Sequence, residues 1–183
     1  MRINNKKRLA FKSGFTLIEL IATIGILAIV IAMAYSMENF GRASFNNGSV
    51  KSDIQSNTRL VANYITKELR YSSNVTILTT FPATADLIDN YKYIYIENGI
   101  LKQYDNVDGI NKGKITNILG NSANKISTVL NFSINDAKTV EFSVQETLKN
   151  QKFQLDSKVL LLNIGNGTLA NGAGAVISYT TTP

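Results

Sequence analysis

The chain has 183 residues, a formal charge of +6 and a pI near 9.5, and it contains no His, no Cys and no Trp. Those gaps exclude Ser-His-Asp and Cys-His nucleophiles, His or Cys zinc sites, HExxH proteases and any disulfide framework. No glycine-rich phosphate loop replaces them, since Gly165-Asn166-Gly167 lacks the later glycine, lysine and helix such loops need.

The charge is unevenly placed. Arg2, Lys6, Lys7, Arg8 and Lys12 precede a run from Phe15 to Met37 whose single charge is Glu19. Without those five basic residues the chain has 14 basic against 13 acidic ones, so its remainder is nearly neutral and has little global drive toward nucleic acid. At about 1.5 Å per residue the apolar run is long enough to cross roughly 30 Å of hydrocarbon, and the basic leader holds its own end in the cytoplasm. A carboxylate in such a segment costs about 2.5 to 3.5 kcal/mol on insertion scales, so Glu19 reads as a functional group in need of a partner.

The junction Lys12-Ser13-Gly14-Phe15-Thr16-Leu17-Ile18-Glu19-Leu20 resembles that of type IV prepilins and pseudopilins. The resemblance implies that the leader, residues 1–14, is cut between Gly14 and Phe15 by a membrane prepilin peptidase, which also N-methylates Phe15. It implies that Glu19 aligns subunits, and that residues 15–37 are first a membrane anchor and then the core of a filament. Such a cut would free an α-ammonium at Phe15 close to Glu19. Within one helix or between stacked helices, the two could pair, and loss of one partner of a desolvated pair costs several kcal/mol. A second reading of the same residues is a secretory signal peptide, with Ala32-Met33-Ala34 as its cleavage site and Tyr35 as the new N-terminus.

Further along the helix, Ala28, Ala32 and Ser36 form a small-residue stripe at i, i+4 spacing, suited to close helix–helix packing. Many major pilins carry proline where this chain has Ser36, so any weak point in the helix would have to be Gly41 or Asn46-Asn47-Gly48. Residues 38–72 are expected to continue as an amphipathic helix. Ile54, Val61, Ile65 and Leu69 share one face, flanked by Leu60 and Tyr64, while Arg59, Lys67 and Arg70 lie opposite. The Leu69-Arg70-Tyr71-Ser72 ending is similar to that of J- and W-type minor pilins.

Residues 73–183 read as a β-rich head with a mobile C-terminal tail from Gly165. The overall expectation is α+β: a long N-terminal helix packed on an antiparallel sheet, the type IV pilin fold. Tyr91 to Asp105 predicts a hairpin with a two-residue turn at Asn98-Gly99, opposing Tyr93 to Tyr104, Ile96 to Leu101 and Lys92 to Asp105. Alternation predicts strands over Ile126–Ile134, Val140–Val144 and from Phe153, with a turn at Lys149-Asn150-Gln151 and an extension through Val159–Ile164.

Surface features admit two readings each. Tyr91, Tyr93 and Tyr95 could stack on bases, but alternating aromatics are ordinary strand packing residues and no basic stripe accompanies them. Lys149, Lys152 and Lys158 read as a charged strand edge that discourages pairing. Asp105, Asp108 and Asn111 could hold calcium, although their spacing is not that of an EF-hand and turn chemistry explains them.

The resemblance therefore implies a non-enzymatic structural subunit with no cofactor, a J- or W-type minor pilin that initiates or caps assembly. Its partners would be the prepilin peptidase, other pilin subunits, membrane lipid before assembly and, indirectly, a membrane platform and an assembly ATPase. Its location would be the cytoplasmic membrane, with the leader inside and the head outside, and then an extracellular filament. The alternatives are a major pilin, a DNA-uptake pseudopilin, and a secreted adhesin or ligand-binding head released after Ala34.

Overall fold

The computed structural model describes residues 14–107, 112–119, 126–136, 138–164, 169–170 and 172–181. It opens with one helix, α1 (Leu17–Arg70), and the chain divides into two compact units, the first ending at Asn46 and the second running from Asn47.

In the first unit α1 passes through Gly41 without a break, and the same helix continues across Asn46-Asn47-Gly48. The expected weak points are therefore helical. Each glycine costs about 1 kcal/mol relative to alanine, a small charge against the cooperativity of a 54-residue helix. The i,i+4 pair of Glu38 with Arg42, at 2.6 Å, spans Gly41. Every described residue from Gly14 to Ser49 is exposed.

The second unit begins where burial begins. Val50, Ile54, Thr58, Val61, Ala62, Ile65 and Leu69 are buried along one face of α1, as the apolar spacing predicts, while Arg59, Lys67 and Arg70 are exposed. Leu60 is exposed rather than part of the flank, and Tyr64 is half-buried. The helix stops at Arg70, two residues earlier than expected. Ser72 donates from its hydroxyl to the Leu69 carbonyl at 2.7 Å, and the next residues leave as a strand.

Among the described residues ten strands follow: β1 (Ser72–Leu78), β2 (Lys92–Glu97), β3 (Ile100–Asp105), β4 (Lys114–Leu119), β5 (Ser127–Asp136), β6 (Thr139–Leu148), β7 (Gln151–Leu160), β8 (Leu169–Ala170), β9 (Ala173–Gly174) and β10 (Val176–Thr181). They form two sheets rather than one, ordered β4-β3-β2-β10-β1-β8 and β7-β6-β5-β9. All pairs are antiparallel except β1 with β8.

The predicted hairpins keep their register. Tyr93 opposes Tyr104, Ile96 opposes Leu101 and Lys92 opposes Asp105, with Asn98 and Gly99 both at positive φ as a type I′ turn requires. A Cβ on Gly99 would also stand 3.1 Å from the Ile126 carbonyl, so the glycine serves backbone conformation and space at once. Between β6 and β7 the turn is Lys149-Asn150, again with both φ values positive, and Leu148 pairs directly with Gln151. Strand β7 ends at Leu160, so Leu161–Ile164 is not strand; there the Leu162 amide donates to the Arg70 carbonyl at 2.8 Å, tying this end of the sheet to the end of α1.

The C-terminal region corrects the expected mobile tail. Strand β10 lies in the middle of the six-stranded sheet, between β1 and β2, and Val176 to Tyr179 are all buried. A strand covered on both faces reads as a continuous apolar run instead of an alternation, which conceals it from a period-two search. Ile177 and Tyr179 face the core with Val61, Ile65 and Leu69 of α1, together with the inner faces of both sheets. Val176 faces the other way, beside Tyr93 and Tyr95, under a lid of Phe81 and Leu87. Tyr93 and Tyr95 of β2, and Tyr91 just before it, are thus packing residues; Phe81 lies 4.2 Å from Tyr95 and 5.7 Å from Tyr93, ring centre to ring centre.

Two polar contacts fasten α1 to the six-stranded sheet. The buried Tyr179 hydroxyl donates to Glu68 Oε2 at 2.8 Å, and the Tyr64 hydroxyl donates to Gln103 Oε1. Burial and the neighbouring Glu68 carboxylate push both phenols well above their ordinary range, so each stays a donor at any physiological pH. Tyr179→Phe removes the donor and leaves Glu68 with one partner fewer; urea unfolding of the chain in detergent should show a loss of about 1 to 3 kcal/mol.

Candidate functional site: the start of the apolar helix

The site predicted from the sequence is built on the first turn of α1. Gly14, Phe15 and Thr16 precede the helix in non-helical backbone, and Leu17 is its first residue. The bond between Gly14 and Phe15 therefore lies just ahead of the helix, exposed on both sides, with Phe15 83% exposed. A peptide bond there can enter a protease in extended form without unwinding the helix.

Glu19 sits in the third helical position and is fully engaged with Thr16. Its Oε2 accepts from the Thr16 amide at 2.9 Å and from the Thr16 hydroxyl at 2.9 Å. In return the Glu19 amide donates to Thr16 Oγ1 at 3.3 Å. This reciprocal arrangement is a capping box, in which Thr16 is the N-cap. It satisfies amides that no intrahelical carbonyl can reach, and it holds the carboxylate at the positive end of the helix.

Thr16 is the residue that sequence reasoning did not single out. Its signal was present, because Thr-x-x-Glu before an apolar run is itself a helix-start signature. The cost of a carboxylate in lipid draws attention to Glu19 alone, whereas the cap depends on its three-residue distance from Thr16.

The remaining predicted positions lie further along the same exposed half of α1. Ala28, Ala32 and Ser36 follow one another at one-turn intervals, and the Ser36 hydroxyl donates to the Ala32 carbonyl at 2.9 Å. That bond hides the hydroxyl against its own backbone, leaving a smooth strip where another helix can approach closely. Among the described residues, α1 is the one helix long and apolar enough to cross a membrane.

The candidate calcium residues are separated from this site. Asp105 accepts from the Val107 amide at 3.1 Å and lies 4.0 Å from Lys92 Nζ, whereas Asp108 and Asn111 fall outside the described residues. Strand β7 is the edge of its sheet and carries Lys152 and Lys158, with Lys158 paired to Glu141 of β6.

The prokaryotic N-terminal methylation motif matches residues 10–35. Two solved structures, the PilB minor pilin from Streptococcus sanguinis and an aspartate-to-alanine mutant of it, share the fold with TM-scores of 0.56 and 0.55 at 17% and 16% identity. In each case the match covers 73% of this chain and 35% of the other, so this chain corresponds to about a third of the length of those proteins. No curated protein matches the chain in sequence. The chain thus carries a prokaryotic N-terminal methylation motif and shares the fold of these two solved structures.

Thr16→Ala removes the N-cap and should cost about 1 kcal/mol at the first turn. In micelles, hydrogen exchange of the Leu17 to Glu19 amides should speed up roughly fivefold, while the amides of β2 and β3 remain unchanged.

Proposed function

We propose that this protein is a structural, non-enzymatic subunit of a type IV pilus-like filament, made as a membrane-anchored precursor. The observation that carries the reading is the exposed apolar half of α1, which begins at a methylation motif and leads into a minor-pilin fold. In water that surface is untenable; lipid covers it before assembly and neighbouring helices cover it afterwards.

In this reading residues 1–14 are a cytoplasmic leader, and the prepilin peptidase cuts between Gly14 and Phe15 and methylates Phe15. Residues 15–37 anchor the precursor and then enter the filament core, residues 38–72 join core to head, and residues 73–183 form the head outside the membrane. The cut places a cationic amine one residue before Thr16. Glu19, already held at that end by the capping box, then has a second partner, either in its own chain or in a neighbour. Breaking the bond to the neighbour would leave a desolvated charge, so the pair fixes the register of an incoming subunit. Ala28, Ala32 and Ser36 supply the close contacts between helices.

The fold's likeness to minor pilins and the helix ending at Leu69-Arg70 support a minor, J- or W-type role at the start of assembly, with sibling pilins as partners of the head. A membrane platform and a cytoplasmic ATPase would extract the subunit from the bilayer.

Mass spectrometry of the native protein should give an N-terminus at Phe15 carrying one methyl group; an N-terminus at Tyr35 would establish secretory processing instead. Glu19→Ala should still be cut and methylated yet enter sheared filaments at least tenfold less than the unmodified chain, as quantified by immunoblot against the membrane fraction.

A further inference from the structure

Glu146 is an anomaly in the second unit. It stands on β6, 1% exposed, and its Oε2 has no hydrogen-bond partner among the described residues. Its cross-strand neighbours are Thr128 on β5 and Phe153 on β7, and Val144 and Leu148 flank it along β6. From α1 comes Thr58, fully buried and within hydrogen-bond reach of the carboxyl. Burial acts most strongly on its titration and favours the neutral acid; the two threonine hydroxyls pull more weakly the other way, and no charged side chain takes part.

Neither threonine serves a carboxylate well. The Thr58 hydroxyl has one proton and gives it to the Ile54 carbonyl at 2.8 Å, so it can donate to an ionised Glu146 only by leaving that carbonyl. Thr128 donates to Oε1 at a long 3.4 Å. A neutral carboxyl, by contrast, can donate to Thr58 across the boundary between helix and sheet. Burial accordingly pushes the Glu146 carboxyl up to about 7. The same place is thinly cored: Val50, Ile54 and Leu148, with Ile126 and Phe153, form a small cluster separate from the main core.

We propose that Glu146 is a proton-operated latch: while its carboxyl is neutral the Ile54–Thr58 turn of α1 stays seated on β6, and ionisation releases that turn. In the released state water reaches the carboxylate, and its affinity for a proton falls to that of an ordinary glutamate. Because the seated state binds the proton more tightly, seating is strongest in acid. It weakens as pH rises from the ordinary glutamate range to about 7, and levels off above it.

The test is hydrogen exchange of the full chain in detergent micelles between pH 5 and 8, normalised to intrinsic rates. Opening at the Ile54 to Ala62 amides should rise by up to about tenfold per pH unit from pH 5 to 7 and then level off, with the β2–β3 hairpin unaffected. Glu146→Gln should abolish the slope. Comparison with the hairpin within the unmodified chain tests the latch even where that variant fails to fold. A flat response at Ile54 to Ala62, an equal rise in the hairpin, or a wild-type slope in folded Glu146→Gln would overturn the proposal.

Discussion

Everything in this chain turns on a helix whose two halves face different demands. From Gly14 to Ser49 its side chains are exposed and, up to Met37, almost wholly apolar; from Val50 onward one face is closed by protein. A hydrophobic helix without a protein partner needs a second solvent or a second helix, and a chain that offers neither within itself has to find them outside. The capping box and the small-residue strip both suit that need: one finishes the helix end, and the other leaves room for a second helix to come close.

The lower half of α1 solves the opposite problem, because it must be held to a head rather than left free. Apolar burial does most of this, through Val61, Ile65 and Leu69 against both sheets. Polar groups add direction: Tyr179 to Glu68 and Tyr64 to Gln103 pin rotation about the helix axis, which apolar contacts alone leave loose. The six-stranded sheet is covered twice, by α1 on one face and by Phe81 and Leu87 on the other, and that accounts for its share of buried tyrosine.

Legibility followed range of interaction. The inner face of α1 and the Asn98-Gly99 hairpin could be read directly, because helical spacing and turn chemistry operate over a few residues. The same holds for β5 to β7, whose antiparallel meander follows chain order. Hidden were the division into two sheets, the short strands β8 and β9, and above all β10, whose neighbours are fixed by pairing across about a hundred residues. Gly41 and Gly48 misled for a related reason: local propensity is a weak prior, and a long cooperative helix overrides it. At the start of α1, Glu19 is legible as the one charge in an apolar run and Gly14-Phe15 through the resemblance of the junction, while Thr16 shows its part only through capping geometry.

The position of β10 has a temporal consequence. Strands β1 and β2 are both made early, yet they do not pair with each other; each pairs with β10 instead, which occupies the place between them. The sheet therefore cannot close during synthesis until residues 176–181 have left the ribosome, and until then the edges of β1 and β2 that face β10 stand open, an aggregation-prone condition. Loss of residues 176–181 would strike the centre of the sheet, not its margin.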